Sequence, residues 1–171
     1  MRIARFVGLL LLSAGLPAAG DGPAVRITPG AEAALSMPAS IVVGTAKVLW
    51  TKGADGVYRP RYEDQTPVRV DPSDDGSARQ ARLAAEIAAL APFADADGSG
   101  EVTLEEGLAF RQTLEFGLGA AAVGAKEKTA DPAKLAALLG LAPEDYGKKL
   151  AAYRDLRARL KGRAADVFPA L

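Results

Sequence analysis

The chain has 171 residues, which is enough for one globular domain with or without an appendage. Its 21 basic and 21 acidic residues balance, so no large net field attracts it to nucleic acid or to a polyanionic surface. Cysteine and histidine are both absent, which excludes disulfides, thiolate nucleophiles, Cys/His zinc sites and Ser-His catalytic pairs. A metal bound by this chain must therefore take oxygen ligands, and such ligands favour calcium or magnesium.

Residues 1–20 have the pattern of an export signal. Arg2 and Arg5 precede an apolar run over residues 6–16, and the small residues Ala18-Ala19-Gly20 follow it. The apolar run is shorter than the about 20 residues that a membrane-spanning helix needs. An uncleaved membrane anchor or a buried hydrophobic helix is the alternative interpretation. We expect a signal peptide over residues 1–20 and a secreted or periplasmic protein with no membrane anchor after cleavage.

Residues 21–77 form a region that proline and glycine interrupt throughout, and such breakers predict the absence of a long helix. Two runs with β character, residues 41–50 and residues 57–70, flank a segment with an Asp-Gly turn signal at residues 51–56. The pattern predicts a short β-hairpin. Because an isolated hairpin is marginally stable in water, this region is either an ordered hairpin packed on the rest of the protein or a mobile arm.

Residues 78–171 have helical periodicity and form the predicted helical domain. The first helix covers residues 78–91, and the second starts at Thr103, where Thr103-Leu104-Glu105-Glu106 fits a capping box. We expect this second helix to weaken in the Gly/Ala tract at residues 117–124. The predicted buried positions of these two helices are Leu83, Ile87, Leu90, Leu104, Leu108, Phe110, Leu114 and Leu118.

Two further helices follow. Asp131-Pro132 is an N-cap followed by proline in the first helical position, Gly140 is a stop signal, and Pro143 opens the last helix. Their predicted buried positions are Leu135, Leu138, Leu139, Tyr146, Leu150, Tyr153, Leu156 and Leu160. The sequence therefore predicts a mainly α fold, in which a helix–loop–helix unit packs with two C-terminal helices and follows a hairpin-like or irregular N-terminal region.

The loop between the first two predicted helices, residues 95–106, has the sequence DADGSGEVTLEE. It resembles the calcium-binding loop of the EF-hand family, and Gly100 stands where the chain must turn with φ > 0. The resemblance implies one carboxylate oxygen from each of two aspartates, a serine hydroxyl, a backbone carbonyl, a threonine that holds a water or offers its hydroxyl, and both oxygens of the closing glutamate. In chain order these ligands are Asp95, Asp97, Ser99, Glu101, Thr103 and Glu106.

The resemblance implies calcium binding by a single EF-hand loop in an exported, bacterial EF-hand domain-containing protein. No second loop of this quality is visible, because Arg82 stands where the closing acid of a stretch beginning at Asp71 belongs. EF-hands usually occur in pairs, and Val102 stands where the family has an apolar residue in β contact with a partner loop. We expect that partner to be the last two helices or another copy of the protein.

Three carboxylates with a neutral fifth position predict weak affinity, toward roughly 10⁻⁴–10⁻³ M, and a structural ion rather than a signalling one. The alternatives are a cell-envelope structural or partner-binding protein, in which calcium orders a docking surface, and an enzyme in which the loop is incidental. We expect no catalytic residues, because no nucleophile motif surrounds the serines and no acid pair stands out beyond the loop.

Overall fold

The computed structural model describes residues 24–65, 76–160 and 167–171. The predicted signal peptide lies outside these residues. The described part of the chain is mainly helical, as expected, and none of its helices is long and apolar enough to cross a membrane. In chain order the elements are β1 (Arg26–Ile27), α1 (Pro29–Val42), β2 (Ala46–Lys52), β3 (Tyr58–Asp64), α2 (Ser77–Ala94), β4 (Glu101–Val102), α3 (Leu104–Glu127), α4 (Pro132–Leu138) and α5 (Pro143–Arg159).

Helix α1 is the clearest departure from the sequence-based expectation, because its 14 residues lie where proline and glycine predicted no long helix. Pro29 occupies the first helical position, where its missing N–H is not needed. Pro38 lies inside the helix and is fully buried, so tertiary packing compensates for the absent backbone donor. Residues 41–43, predicted to begin a strand, instead end this helix, and Gly44 follows them with a φ of +76°.

The predicted β-hairpin is present and ordered. Strands β2 and β3 pair in antiparallel register, with Trp50 opposite Pro60. In the turn, the Gly53 amide donates to the Val57 carbonyl at 2.9 Å, and Gly56 takes a φ of +80°. The indole of Trp50 lies directly over Gly119 of α3, where a Cβ would overlap the ring. The hairpin is therefore packed on the helical body. Residues 66–70 of the second predicted run lie outside the described residues.

Helices α2 and α3 are both longer than the sequence pattern predicted. Helix α2 continues through Pro92 to Ala94. Helix α3 runs without a break across residues 117–124, so the predicted weakening of this tract is wrong. Two glycines of the tract make room for aromatic rings, since a Cβ at Gly117 would overlap the ring of Tyr153 and one at Gly119 would overlap that of Trp50. Close packing at these positions compensates for the low helix propensity of glycine.

The buried face of α3 also differs from the expectation. Phe110 and Leu114 are buried, as predicted, but Leu104 is 50% and Leu108 is 38% exposed. The buried stripe passes through Gly107, and Leu108 lies about 100° around the helix from that position. Leu108 is therefore left on the surface, because α1 packs against the neighbouring Gly107.

The C-terminal helices follow the sequence prediction closely. Asp131 caps α4 by accepting from the Ala133 amide at 3.0 Å, and Gly140, with a φ of +68°, follows the end of that helix. Tyr153 on α5 is fully buried, and its hydroxyl donates to the Pro169 carbonyl at 2.7 Å. One buried cluster joins residues of α1 and β3 to residues of α2, α3, α4 and α5. The core therefore includes residues from both predicted regions, 21–77 and 78–171.

The last two helices, one of the two expected partners of the 95–106 loop, do not make its β contact, whereas pairing with another copy stays a prediction. Strand β4, inside the loop, pairs in parallel with β1, and Arg26 stands opposite Glu101 while Ile27 stands opposite Val102. The segment in β contact with the loop therefore precedes α1, and the last two helices instead pack on α3. A strand of two residues, separated from its partner by most of the domain, has no local sequence signal.

Candidate metal centre

The 95–106 loop begins where α2 ends. Asp95 is the C-cap residue of α2, and its amide still donates to the Ala91 carbonyl at 3.0 Å. The chain then turns twice through left-handed backbone, at Gly98 with a φ of +70° and at Gly100 with a φ of +82°. The sequence predicted the turn at Gly100, whereas the role of Gly98 was missed. Only glycine takes such angles without steric cost, so both positions shape the loop.

The structure brings together the three predicted carboxylate ligands. One oxygen from each of Asp95, Asp97 and Glu106 lies within 4.8 Å of the others. Backbone amides orient the two aspartates: the carboxylate of Asp95 accepts from Ser99 N at 3.1 Å and from Gly100 N at 2.9 Å, and that of Asp97 accepts from Ser99 N at 2.9 Å. The loop therefore wraps around its own acids, and each carboxylate keeps lone pairs for a cation.

Ser99 and Glu101 carry the two neutral oxygens that the sequence predicts as ligands. The Ser99 hydroxyl donates to the Glu101 carbonyl at 3.1 Å, so these two oxygens lie side by side. The Glu101 carboxylate is not part of this group, because it forms an ion pair with Arg26 at 2.6 Å on the protein surface. The Glu101 side chain therefore points outward, as expected, whereas ligation by its backbone carbonyl stays a prediction.

Thr103 and Glu106 form the predicted capping box at the start of α3. The Glu106 amide donates to the Thr103 hydroxyl oxygen at 3.3 Å, and the Glu106 carboxylate accepts from the Thr103 amide and hydroxyl, both at 2.9 Å. The other carboxylate oxygen of Glu106 accepts from the Ala96 amide at 3.0 Å. Hydrogen bonds of Glu106 alone thus connect the first turn of α3 to the beginning of the loop.

The hydrogen bonds also set the ionisation of the site. The hydroxyl and amide of Ser99 lower the pKa of Asp97 below its usual value. The amide and hydroxyl of Thr103 lower the pKa of Glu106, although the nearby charge of Asp97 opposes the shift. Both carboxylates are therefore ionised at neutral pH. Their close approach leaves a negative potential in the loop that a divalent cation would neutralise.

Two residues that sequence reasoning missed hold the outer side of the loop. The Arg26 amide donates to the Gly100 carbonyl at 2.9 Å. The Thr28 amide and hydroxyl both donate to the Val102 carbonyl, at 3.2 Å and 3.1 Å. No motif marks these residues, since they lie more than 70 positions in sequence from the residues that they contact. Their role becomes visible only once β1 is paired with β4.

No protein-family model, no curated protein and no solved structure matches this chain. A functional assignment therefore depends on the loop itself. The loop offers oxygen ligands alone, grouped at the junction of two helices, and these are the ligands that hard divalent cations prefer.

Proposed function

We propose that the protein binds one calcium ion in the 95–106 loop and that the ion has a structural role. The observation that carries the proposal is the grouping of three carboxylates within 4.8 Å, with the hydroxyl of Ser99 and the carbonyl of Glu101 in the same loop. Calcium takes six to eight oxygens. One oxygen each from four residues and two from Glu106 approach that number, and ligation by Glu106 Oε2 would replace a hydrogen bond that it accepts from Thr103.

Thr103 would complete the coordination through its hydroxyl oxygen or through a water molecule. Its hydroxyl is already engaged on both sides in the capping box, because it donates to Glu106 and accepts from the Glu106 amide. The Ser99 hydroxyl is engaged in the same way, because it donates to the Glu101 carbonyl and accepts from the Glu101 amide at 3.3 Å. Either form of the Thr103 contribution would bring the total to about seven oxygens.

Calcium suits this loop better than magnesium does. Magnesium demands near-ideal octahedral geometry and keeps several waters, whereas calcium accepts irregular coordination and bidentate carboxylates. With three carboxylates and a serine, the loop has few charges, and an affinity of roughly 10⁻⁴–10⁻³ M is expected. Such a site fills where calcium is abundant, which agrees with the proposed secreted or periplasmic location.

The ion would act by joining two helices. Asp95 ends α2 and Glu106 lies in the first turn of α3, so a cation between them ties these helix ends together. No nucleophile motif accompanies the site, and we propose a non-enzymatic protein whose stability depends on calcium.

Isothermal titration calorimetry with calcium chloride tests the proposal, with Glu106→Gln and Glu105→Gln as a matched pair. Both variants remove one acid from the first turn of α3, but Glu105 is exposed and outside the carboxylate group. We expect Glu106→Gln to abolish binding and Glu105→Gln to leave it nearly unchanged. Equal losses in the two variants would contradict the assignment. Submicromolar affinity in the unaltered protein would contradict the structural role.

A further inference from the structure

We infer that strand β1 completes the calcium loop from within the same chain, by fixing the Glu101 carbonyl as a ligand. This inference rests on the proposed function and adds to it two positioning groups, the backbone amides of Arg26 and Thr28. In the EF-hand resemblance the β contact of the loop belongs to a second loop. Here a short strand that carries no ligand occupies that place.

The direction of the carbonyl groups carries the inference. The carbonyls of Gly100 and Val102 accept from Arg26 and Thr28, so both point toward β1. Successive carbonyls along a strand point to opposite sides. The Glu101 carbonyl between them therefore points away from β1, to the side where the Ser99 hydroxyl donates to it at 3.1 Å. Pairing with β1 thus aims this oxygen into the group of candidate ligands.

Strand β1 is itself held in place by α1. Thr28 is the N-cap residue of α1, just as Thr103 is the N-cap residue of α3, so each strand passes through one threonine into its helix. The two helices run side by side at close range: a Cβ added to Gly107 would lie 3.1 Å from the Ala34 Cβ and 3.3 Å from the Ala31 Cα. Because these small residues lock α1 to α3, β1 cannot slide along β4 without separating the helices.

The loop should therefore bind calcium less well when the pairing is weakened, even if all its ligands are intact. Arg26 offers a matched pair of variants. Arg26→Ala removes the exposed ion pair with Glu101, which contributes little. Arg26→Pro removes the ion pair and also the amide that donates to Gly100. The difference between the two variants isolates the backbone hydrogen bond.

Calcium titration calorimetry of the full chain measures the effect. We expect Arg26→Ala to bind within about twofold of the unaltered protein. Arg26→Pro should bind about three- to tenfold more weakly than Arg26→Ala, the range that corresponds to one net hydrogen bond. Equal affinities of the two variants, both folded by far-UV circular dichroism, would overturn the inference and leave calcium binding intact. Absence of binding in the unaltered protein would overturn the proposed function as well.

Hydrogen exchange on the unaltered protein gives a second measurement that does not require the proline variant to fold. If the pairing and the ion support each other, calcium slows exchange at the Arg26 and Thr28 amides more than at the Gly53 amide, which is bonded within the hairpin turn. Equal slowing at all three amides would show that calcium acts on global stability alone and would overturn the inference.

Discussion

Replacing Gly117 by alanine tests how tightly α3 is packed. In an exposed helix this change stabilises a protein by about 1 kcal/mol, since alanine has the higher helix propensity. Here the added methyl group would overlap the ring of Tyr153. That ring is fully buried and its hydroxyl is fixed by the bond to the Pro169 carbonyl, so it cannot swing aside.

The magnitude follows from these two opposing effects. Overpacking a well-packed core costs about 1–3 kcal/mol. Full overlap with a fixed ring places this change at about 2–3 kcal/mol, which exceeds the gain of about 1 kcal/mol in helix propensity. We expect Gly117→Ala to lower the free energy of unfolding by about 1–2 kcal/mol. Gly147 on α5 is the matched control, because a Cβ there meets nothing within 4 Å. Gly147→Ala should raise the free energy of unfolding by about 0.5–1 kcal/mol.

Urea unfolding of the two variants, followed by far-UV circular dichroism, measures the difference. For a domain of this size each 1 kcal/mol also shifts the melting temperature by about 2–4 °C, so thermal scans provide an independent check. The reasoning would be refuted if Gly117→Ala were as stable as the unaltered protein while Gly147→Ala behaved as expected. That result would mean that α3 and α5 can move apart freely at Tyr153.

Two further predictions concern calcium and pH. At a calcium concentration about 100 times the dissociation constant, the unaltered protein should gain roughly 2.7 kcal/mol of stability by linkage, seen as a calcium-dependent melting temperature that Glu106→Gln lacks and Glu105→Gln retains. At high pH, burial and the hydrogen bond to Glu115 raise the pKa of Tyr62 to about 12 from its ordinary 10. The native state thus favours the neutral phenol, and its contribution to stability is full below pH 10 and is lost as the pH rises to about 12. In an absorbance titration at phenolate wavelengths, Tyr62→Phe should remove a transition near pH 12.

The candidate site could be predicted from the sequence because its chemistry is local. The capping residues Thr103 and Glu106 stand three positions apart, and both hydrogen bonds of the capping box are present. The Gly100 turn likewise depends on one residue and its φ. Each of these features is fixed by neighbours in sequence, so the pattern contains the information needed to recognise it.

The elements that hold the site in place could not be predicted, because their causes are distant in sequence. Local rules make Pro38 a helix breaker, and only its burial in the folded protein accounts for its place inside α1. Arg26 and Thr28 have no pattern of their own, since a two-residue strand is defined by its partner alone. Local propensities take no account of tertiary packing, and packing determines both the helix α1 and the pairing of β1.

The glycines of α3 show the same principle in one helix. By propensity each of them weakens the helix, yet each is the place where a different element approaches it. Gly107 admits α1, Gly119 admits the Trp50 ring of the hairpin, and Gly117 admits the Tyr153 ring of α5. Helix α3 is therefore held on three sides, and the loop at its N-terminus starts from a fixed base. Because Glu106 lies in the first turn of this helix, packing sets the position of the closing carboxylate without an ion, and less ordering would remain to oppose the proposed calcium binding.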